Sequence, residues 1–140
     1  MNYIKVNHLT KVINNHTVLD DIDFELKQGG IYSFIGHNGS GKTMLFRALC
    51  GFIAPTSGEV TINGVNISKA IMEDPDLLIF DEPTNSLDKA GSQSFIDLIL
   101  DLKEKGKTIL LASHHIADID GISDEIFEME AGQIINRRKA

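Results

Sequence analysis

Eight consecutive residues narrow the possible folds of this chain more than any other feature: Gly36-His37-Asn38-Gly39-Ser40-Gly41-Lys42-Thr43. They match the pattern Gly-x4-Gly-Lys-[Ser/Thr] at every fixed position. From average residue usage such a match arises by chance in roughly 0.5% of chains this long. Here it also lies between an apolar stretch, Ile31 to Ile35, and a segment from Lys42 to Leu49 in which Met44, Leu45, Ala48 and Leu49 recur at helical spacing. A strand that enters a glycine-rich turn and leaves as a helix is the context the pattern requires. The residue types then state the chemistry. Glycines admit φ > 0 and turn backbone N–H groups inward to make a concave anion site. The helix begun at Gly41-Lys42 points its positive end at the same place. Lys42 offers a mobile charge to β- and γ-phosphates. The Thr43 hydroxyl suits magnesium, which takes oxygen ligands and keeps most of its waters.

A second apolar run, Leu77-Leu78-Ile79-Phe80, ends in Asp81-Glu82. A buried strand that delivers two carboxylates at its exit is the natural complement to a phosphate loop. Asp81 is placed to hold magnesium through water, and Glu82 to orient or deprotonate an attacking water. The ligand expected from these residues is Mg-ATP.

Elsewhere the pattern reads as short strands at Tyr3 to Val6, Val18 to Leu26, Gly58 to Gly64 and Thr108 to Ala112. An amphipathic helix is predicted over Ser92 to Lys105, with Phe95, Ile96, Ile99, Leu100 and Leu102 on its inner face and Gly106 stopping it. A short helix is predicted over Ile116 to Ile122, then a closing hairpin, Glu125 to Glu130 and Gln133 to Asn136, around Ala131-Gly132. Buried strands alternating with helices predict an α/β fold: a P-loop NTPase core with a largely parallel sheet flanked by helices, plus a small antiparallel β flap.

Length and composition bound the rest. At 140 residues, 42% hydrophobic and 24% charged, the chain is the size of one soluble globular domain. No apolar run approaches the ~18 residues needed to cross a bilayer, and the first ten residues do not have the form of a secretion signal. A single cysteine excludes an internal disulfide and fits a reducing cytoplasm. The net charge of −7 argues against nucleic acid as a partner. The basic run Arg137-Arg138-Lys139 reads as a solvated tail, and Cys50 as core.

With these motifs on the page, the chain resembles the ATP-binding domain of ABC transporters. Asp81-Glu82-Pro83-Thr84-Asn85-Ser86-Leu87-Asp88 is similar to that family's magnesium strand, catalytic glutamate and D-loop. Thr108 to His114 is similar to its switch-histidine strand. Val18 to Phe24 and Gly58 to Gly64 are similar to its flanking strands. The resemblance implies roles residue by residue: phosphate binding by Gly36 to Thr43, magnesium binding by Thr43 and Asp81, general-base catalysis by Glu82. It further implies γ-phosphate contact by His114 and coupling to a second subunit by Asp88. It implies ATP and Mg2+ as cofactors, a transmembrane transporter subunit as partner, a homodimer, and a place at the cytoplasmic face of the cell membrane.

The sequence departs from that family in one large respect. Only 37 residues separate Thr43 from Asp81, where the family has a much longer stretch holding the glutamine loop, a helical subdomain and the Leu-Ser-Gly-Gly signature. None of these is present, and the apparent join falls near Ser68-Lys69. The expectation is one shortened core domain over residues 1–140, with an exposed apolar sheet edge and impaired hydrolysis. The alternatives are a module that binds nucleotide without turnover and an inactive remnant. Two smaller departures follow. The position that usually stacks an aromatic on adenine is Ile13, which predicts soft discrimination between ATP and GTP. Thr43 is followed by Met44 rather than threonine, with little effect expected.

Overall fold

The computed structural model describes residues 2–67, 74–84, 87–114 and 121–139. The apparent join at 68–69 and His115 lie outside them, as do residues 116–120 of the helix predicted over 116–122; Gly121 and Ile122, which are described, are turn rather than helix.

A long hairpin opens the chain. β1 (Asn2–Ile13) and β2 (His16–Lys27) pair antiparallel. Their turn, Asn14-Asn15, is left-handed at both residues, φ 50° and 62°, a conformation asparagine adopts more readily than most side chains. Both strands outrun the stretches predicted for them, and the reason is bulging. The register of the pair shifts between Val6 and Leu9 and again between Leu9 and Lys11, while His8 and Asp21 are both left-handed at φ 49°. A bulge inserts a residue and changes which side of the strand faces inward, so the alternation breaks although the strand continues. β4 (Ser57–Ile62) pairs with β1, and β5 (Val65–Asn66) with β4, to complete a four-stranded antiparallel sheet of order β2-β1-β4-β5. This is the expected flap.

The second sheet contains β3 (Ile31–Ile35), β6 (Leu77–Asp81), β7 (Thr108–Ser113), β8 (Glu125–Glu130) and β9 (Gln133–Lys139), in the order β6-β7-β3-β8-β9. Four of its strands are parallel, and β9 returns antiparallel along β8. Alternate residues serve two cores. Tyr32, Phe34, Leu110, Ala112, Phe127 and Met129 face the flap and the helix α1 (Lys42–Cys50). Ile31, Ile109 and Leu111 face the helix α2 (Lys89–Glu104). Phe34 and Phe127 stack at 4.7 Å between ring centroids, and Phe24 from the flap approaches Phe127 at 5.3 Å. Each fully buried aromatic contributes about 1.5–3 kcal/mol by removal from water.

Three expectations are corrected here. On α2 only Ile99 is fully buried, and Leu100 is 43% exposed; the helix meets the sheet through Phe95, Ile99 and Leu102, a narrower stripe than predicted. The basic run is strand rather than tail. Within β9, Arg137 pairs with Glu125 at 2.5 Å, donates to the Glu25 carbonyl at 3.1 Å and lies 4.8 Å above the Phe127 ring. Cys50 ends α1 and is half-buried, and that burial pushes its thiol up, away from the reactive thiolate.

β6 is the edge of the parallel sheet. Among the described residues it bonds only to β7, and Leu78, Ile79 and Phe80 are half-buried where β7 is buried throughout. This is the apolar edge expected from the sequence. Just before β6, the Tyr3 hydroxyl of the flap donates to the Asp74 carboxylate. Burial and that carboxylate raise the Tyr3 pKa and keep the hydroxyl protonated. Tyr3→Phe is expected to lower stability by about 1–2 kcal/mol, the upper part of the charged-acceptor range being lost because Asp74 is half-exposed. Because the folded pKa is raised, the contribution is present below the ordinary tyrosine pKa of about 10 and is lost as pH rises past it. Urea melts of both proteins at pH 7 and pH 11 measure this: the difference seen at pH 7 should shrink at pH 11.

Candidate functional site

The phosphate loop lies where the two sheets and α1 meet, at the carboxyl ends of β3 and β6. Its shape depends on backbone that only glycine accepts easily. A Cβ on Gly36 would come within 2.5 Å of the Met129 carbonyl and 2.6 Å of Ser40 Oγ. Gly39 and Gly41 have φ 88° and 109°. α1 begins at Gly41 with no side chain capping its first turn, so the amide hydrogens there remain available for an anion. The loop opens on a cleft of about 580 Å³, within the usual size for small-molecule sites. Residues 37–44 line one side of the cleft, Asp81 and Glu82 another, and His16, Thr17, Val18 and Gly132 the rest.

Side chains from three elements converge in it. Thr43 Oγ1 donates to Asp81 Oδ2 at 2.8 Å. Two oxygens at that separation span the edge of an octahedron with metal bonds of about 2.0–2.1 Å, the geometry magnesium demands. The Lys42 ammonium is almost wholly buried. It donates to the Gly36 carbonyl and forms an ion pair at 3.6 Å with Glu82 Oε1, too long for a hydrogen bond. Glu82 Oε1 and Ser40 Oγ are both buried without a hydrogen-bond partner. Buried polar atoms are rarely left so, and both belong to the group of residues expected to receive phosphate and water. The donor set fits Mg-ATP.

Glu82 itself is left-handed, φ 50°, an uncommon conformation for a residue with a long side chain. Its N–H still donates to the Ala112 carbonyl at 2.8 Å, so it remains tied to β7. The turn sends its carboxylate toward the end of that strand, where His114 Nδ1 lies 3.0 Å from Oε2. Glu82 and His114, 32 positions apart in sequence, are thus direct neighbours. His37 and Asn38 are at the mouth of the loop, with His37 Nδ1 bonded to the Asn38 carbonyl at 2.8 Å.

Ile13 is placed differently from the expectation. Ile13 ends β1, pairs with His16 and is 37% exposed, and it does not line the cleft. The tight Asn14-Asn15 turn reverses the chain between the two, so His16, the far side of the hairpin, lines it instead. Counting back from Val18-Leu19 leads to Ile13; an aromatic ring between that point and Val18 was the available signal for His16. Asp88 caps α2, its Oδ1 accepting the Gly91 N–H at 2.7 Å, and so starts the helix three residues before the predicted Ser92.

Known proteins resemble this chain in both sequence and shape. The ABC transporter family model matches residues 19–69. The uncharacterized ABC transporter ATP-binding protein YybJ of Bacillus subtilis is 31% identical, over 97% of this chain and 96% of its own length. The alignment runs over 210 residues against a chain of 140, so part of YybJ has no counterpart here. The bacitracin transport ATP-binding protein BcrA of Bacillus licheniformis is 26% identical, over 94% of this chain and 68% of its own length. Among solved structures, the ADP conformation of MJ1267, an ATP-binding cassette of an ABC transporter, superposes with a TM-score of 0.91 over 100% of this chain and 92% of that one, at 16% identity. That identity speaks to fold alone. No helix among the described residues is long and apolar enough to cross a membrane. The identity shared with YybJ over nearly the whole of both chains makes this protein a member of the ABC transporter ATP-binding family.

Proposed function

We propose that this chain binds Mg-ATP in the cleft formed by Gly36 to Thr43, Asp81, Glu82 and His16, and turns it over slowly or not at all when alone. The observation that carries the reading is the Thr43–Asp81 bond at 2.8 Å beside an uncapped helix start: it joins a metal-ligand pair to an anion site. Bound magnesium would neutralise phosphate charge and hold it in register. Thr43 and Asp81 are the residues to hold the ion. Lys42 would leave the Gly36 carbonyl for the phosphates, relieving its confinement beside Glu82. Glu82 would then be free to accept a proton from water, with His114 fixing its orientation through the 3.0 Å contact.

Slow turnover follows from what the sequence omits. In the family two domains enclose ATP, and the signature of each closes the site of the other. A pair of these chains has no signature to offer, so Asp88 and its neighbours would have no complete site to couple to. The helical subdomain that docks on transmembrane subunits is missing too. The chain would work at the cytoplasmic face of a membrane only beside a longer partner. The Glu82–His114 contact favours a second reading, turnover in a mixed pair whose other member supplies the signature. BcrA, named for bacitracin transport, makes a peptide antibiotic the leading cargo for such an assembly.

The test is thermal melting with and without saturating Mg-ATP, beside Lys42→Ala. At a hundred times the dissociation constant, binding should add about 2.7 kcal/mol, a shift of several degrees for a domain this size. The shift should vanish in Lys42→Ala, and multiple-turnover phosphate release should be slow in the unaltered chain and no faster in Glu82→Gln. Equal shifts in both proteins would remove the phosphate-loop assignment. Phosphate release by the unaltered chain as fast as that of a full-length family member would remove the slow-turnover claim.

A further inference from the structure

On the flap, away from the phosphate loop, the two bulges of the β1–β2 pair bring three donors of different chemistry together. His8 Nδ1 lies 2.8 Å from Asp21 Oδ1 and 3.4 Å from Asp23 Oδ2, and one donor atom from each of the three lies within 4.8 Å of the others. His8 Nδ1 and Asp21 Oδ1 are hydrogen-bonded. Neighbouring ligands of a four- to six-coordinate ion with bonds of about 2.1 Å lie about 3.0–3.4 Å apart. The 3.4 Å separation from Asp23 therefore matches a coordination edge, and the 2.8 Å one would open slightly to admit an ion. The set is an imidazole with two carboxylates, a combination that suits zinc and other later first-row ions, whereas magnesium prefers oxygen alone.

The surrounding structure fixes these donors individually. Left-handed backbone at His8 and Asp21, φ 49° at each, turns both side chains out of the regular alternation and to the same side. The His8 N–H binds Asp23 Oδ1 at 2.8 Å, which leaves Oδ2 as the free oxygen facing the ring. The Asp21 N–H is held by Thr10 Oγ1 at 3.0 Å. Outer-shell bonds of this kind orient ligands before an ion arrives. All three side chains open to solvent, His8 at 77%, Asp21 at 65% and Asp23 at 48% exposure, so water can complete a coordination shell. We propose that His8, Asp21 and Asp23 form a second divalent-cation site, selective for zinc-like ions over magnesium, that staples β1 to β2 at their bulges.

The experiment is a zinc titration of the full chain in excess magnesium, followed by the histidine ring signals in NMR and by calorimetry. Excess magnesium suppresses weak binding at oxygen ligands, and the His8 ring signals separate this site from the Glu82–His114 pair beside the phosphate loop. The expected result is one zinc equivalent that shifts the His8 ring signals. Its affinity should fall at least ten-fold in His8→Asn, which keeps a residue tolerant of the left-handed backbone, and in Asp23→Asn. Binding of equal strength in either variant that folds, or a zinc equivalent that leaves the His8 signals unmoved, overturns the proposal; the ring signals of the unaltered chain decide it even if both variants fail to fold.

Discussion

Phe127→Ala is expected to lower stability by about 3–5 kcal/mol, the range for removing a large side chain from a close-packed core. Phe127 is fully buried and touches aromatic neighbours from both sheets, stacking on Phe34 at 4.7 Å and meeting Phe24 at 5.3 Å. It also carries the Arg137 guanidinium above its ring at 4.8 Å, so the alanine would loosen β9 as well. Small domains have about 5–15 kcal/mol in total. This one has little to spare, since α2 buries only Ile99 fully and β6 is bonded on one side among the described residues. The urea midpoint of Phe127→Ala should therefore fall steeply or the cooperative transition should disappear. Leu98→Ala is the control: Leu98 is 48% exposed and its loss should move the midpoint little. Similar midpoints for the two variants would show that the aromatic cluster does not hold the sheets together.

The second large effect is expected at Gly132, between β8 and β9. A Cβ there would come within 2.5 Å of the Val18 carbonyl oxygen, and the residue has φ 79°. Left-handed strain costs a non-glycine residue about 1–3 kcal/mol and overpacking adds about 1–3 more. The damage should also reach the nucleotide site. The Gly132 N–H donates to the Ser40 carbonyl of the phosphate loop, and its own carbonyl accepts the Asp20 N–H of β2, both at 2.9 Å. Gly132→Ala is thus expected to lose about 2–6 kcal/mol of stability and to lose the Mg-ATP shift in whatever fraction still folds. A destabilised protein that keeps its full nucleotide shift would show that the loop holds its shape without the β8–β9 turn.

Much of this was legible from the residues, and what was not has physical causes. The loop from Gly36 to Thr43 and the strand ending at Asp81 combine local pattern with local chemistry, and both strands appear with bounds within a residue of those read from sequence. The α/β architecture followed from the same alternation of buried runs. Features made by tertiary geometry did not show. Whether Arg137 is tail or strand depends on Glu125 and Phe127 standing beside it, which no local pattern states. The inner face of α2 was drawn too wide because periodicity assigns Leu100 a direction, while the depth of contact with the sheet decides its burial. Bulges at His8 and Asp21 hid half of β1 by breaking the alternation by which strands are read. Ile13 was set in the cleft, which His16 lines instead, for a related reason: counting along a hairpin cannot tell which of its two arms faces inward.

The tie between Gly132 and Ser40 also bears on when the protein acquires its nucleotide site as it is made. Synthesis delivers residues 36–43 early, with the β3–α1 segment able to form locally once it leaves the ribosome. The hydrogen bond that closes the loop from behind needs the Gly132 N–H, and the hairpin containing Gly132 must pair with β3 through β8, more than 90 positions further along. Closing so long a loop is slow relative to local helix formation. A nascent chain of this protein would display its phosphate-loop sequence while the residues up to Gly132 are made and gain a finished pocket only once Gly132 has joined it.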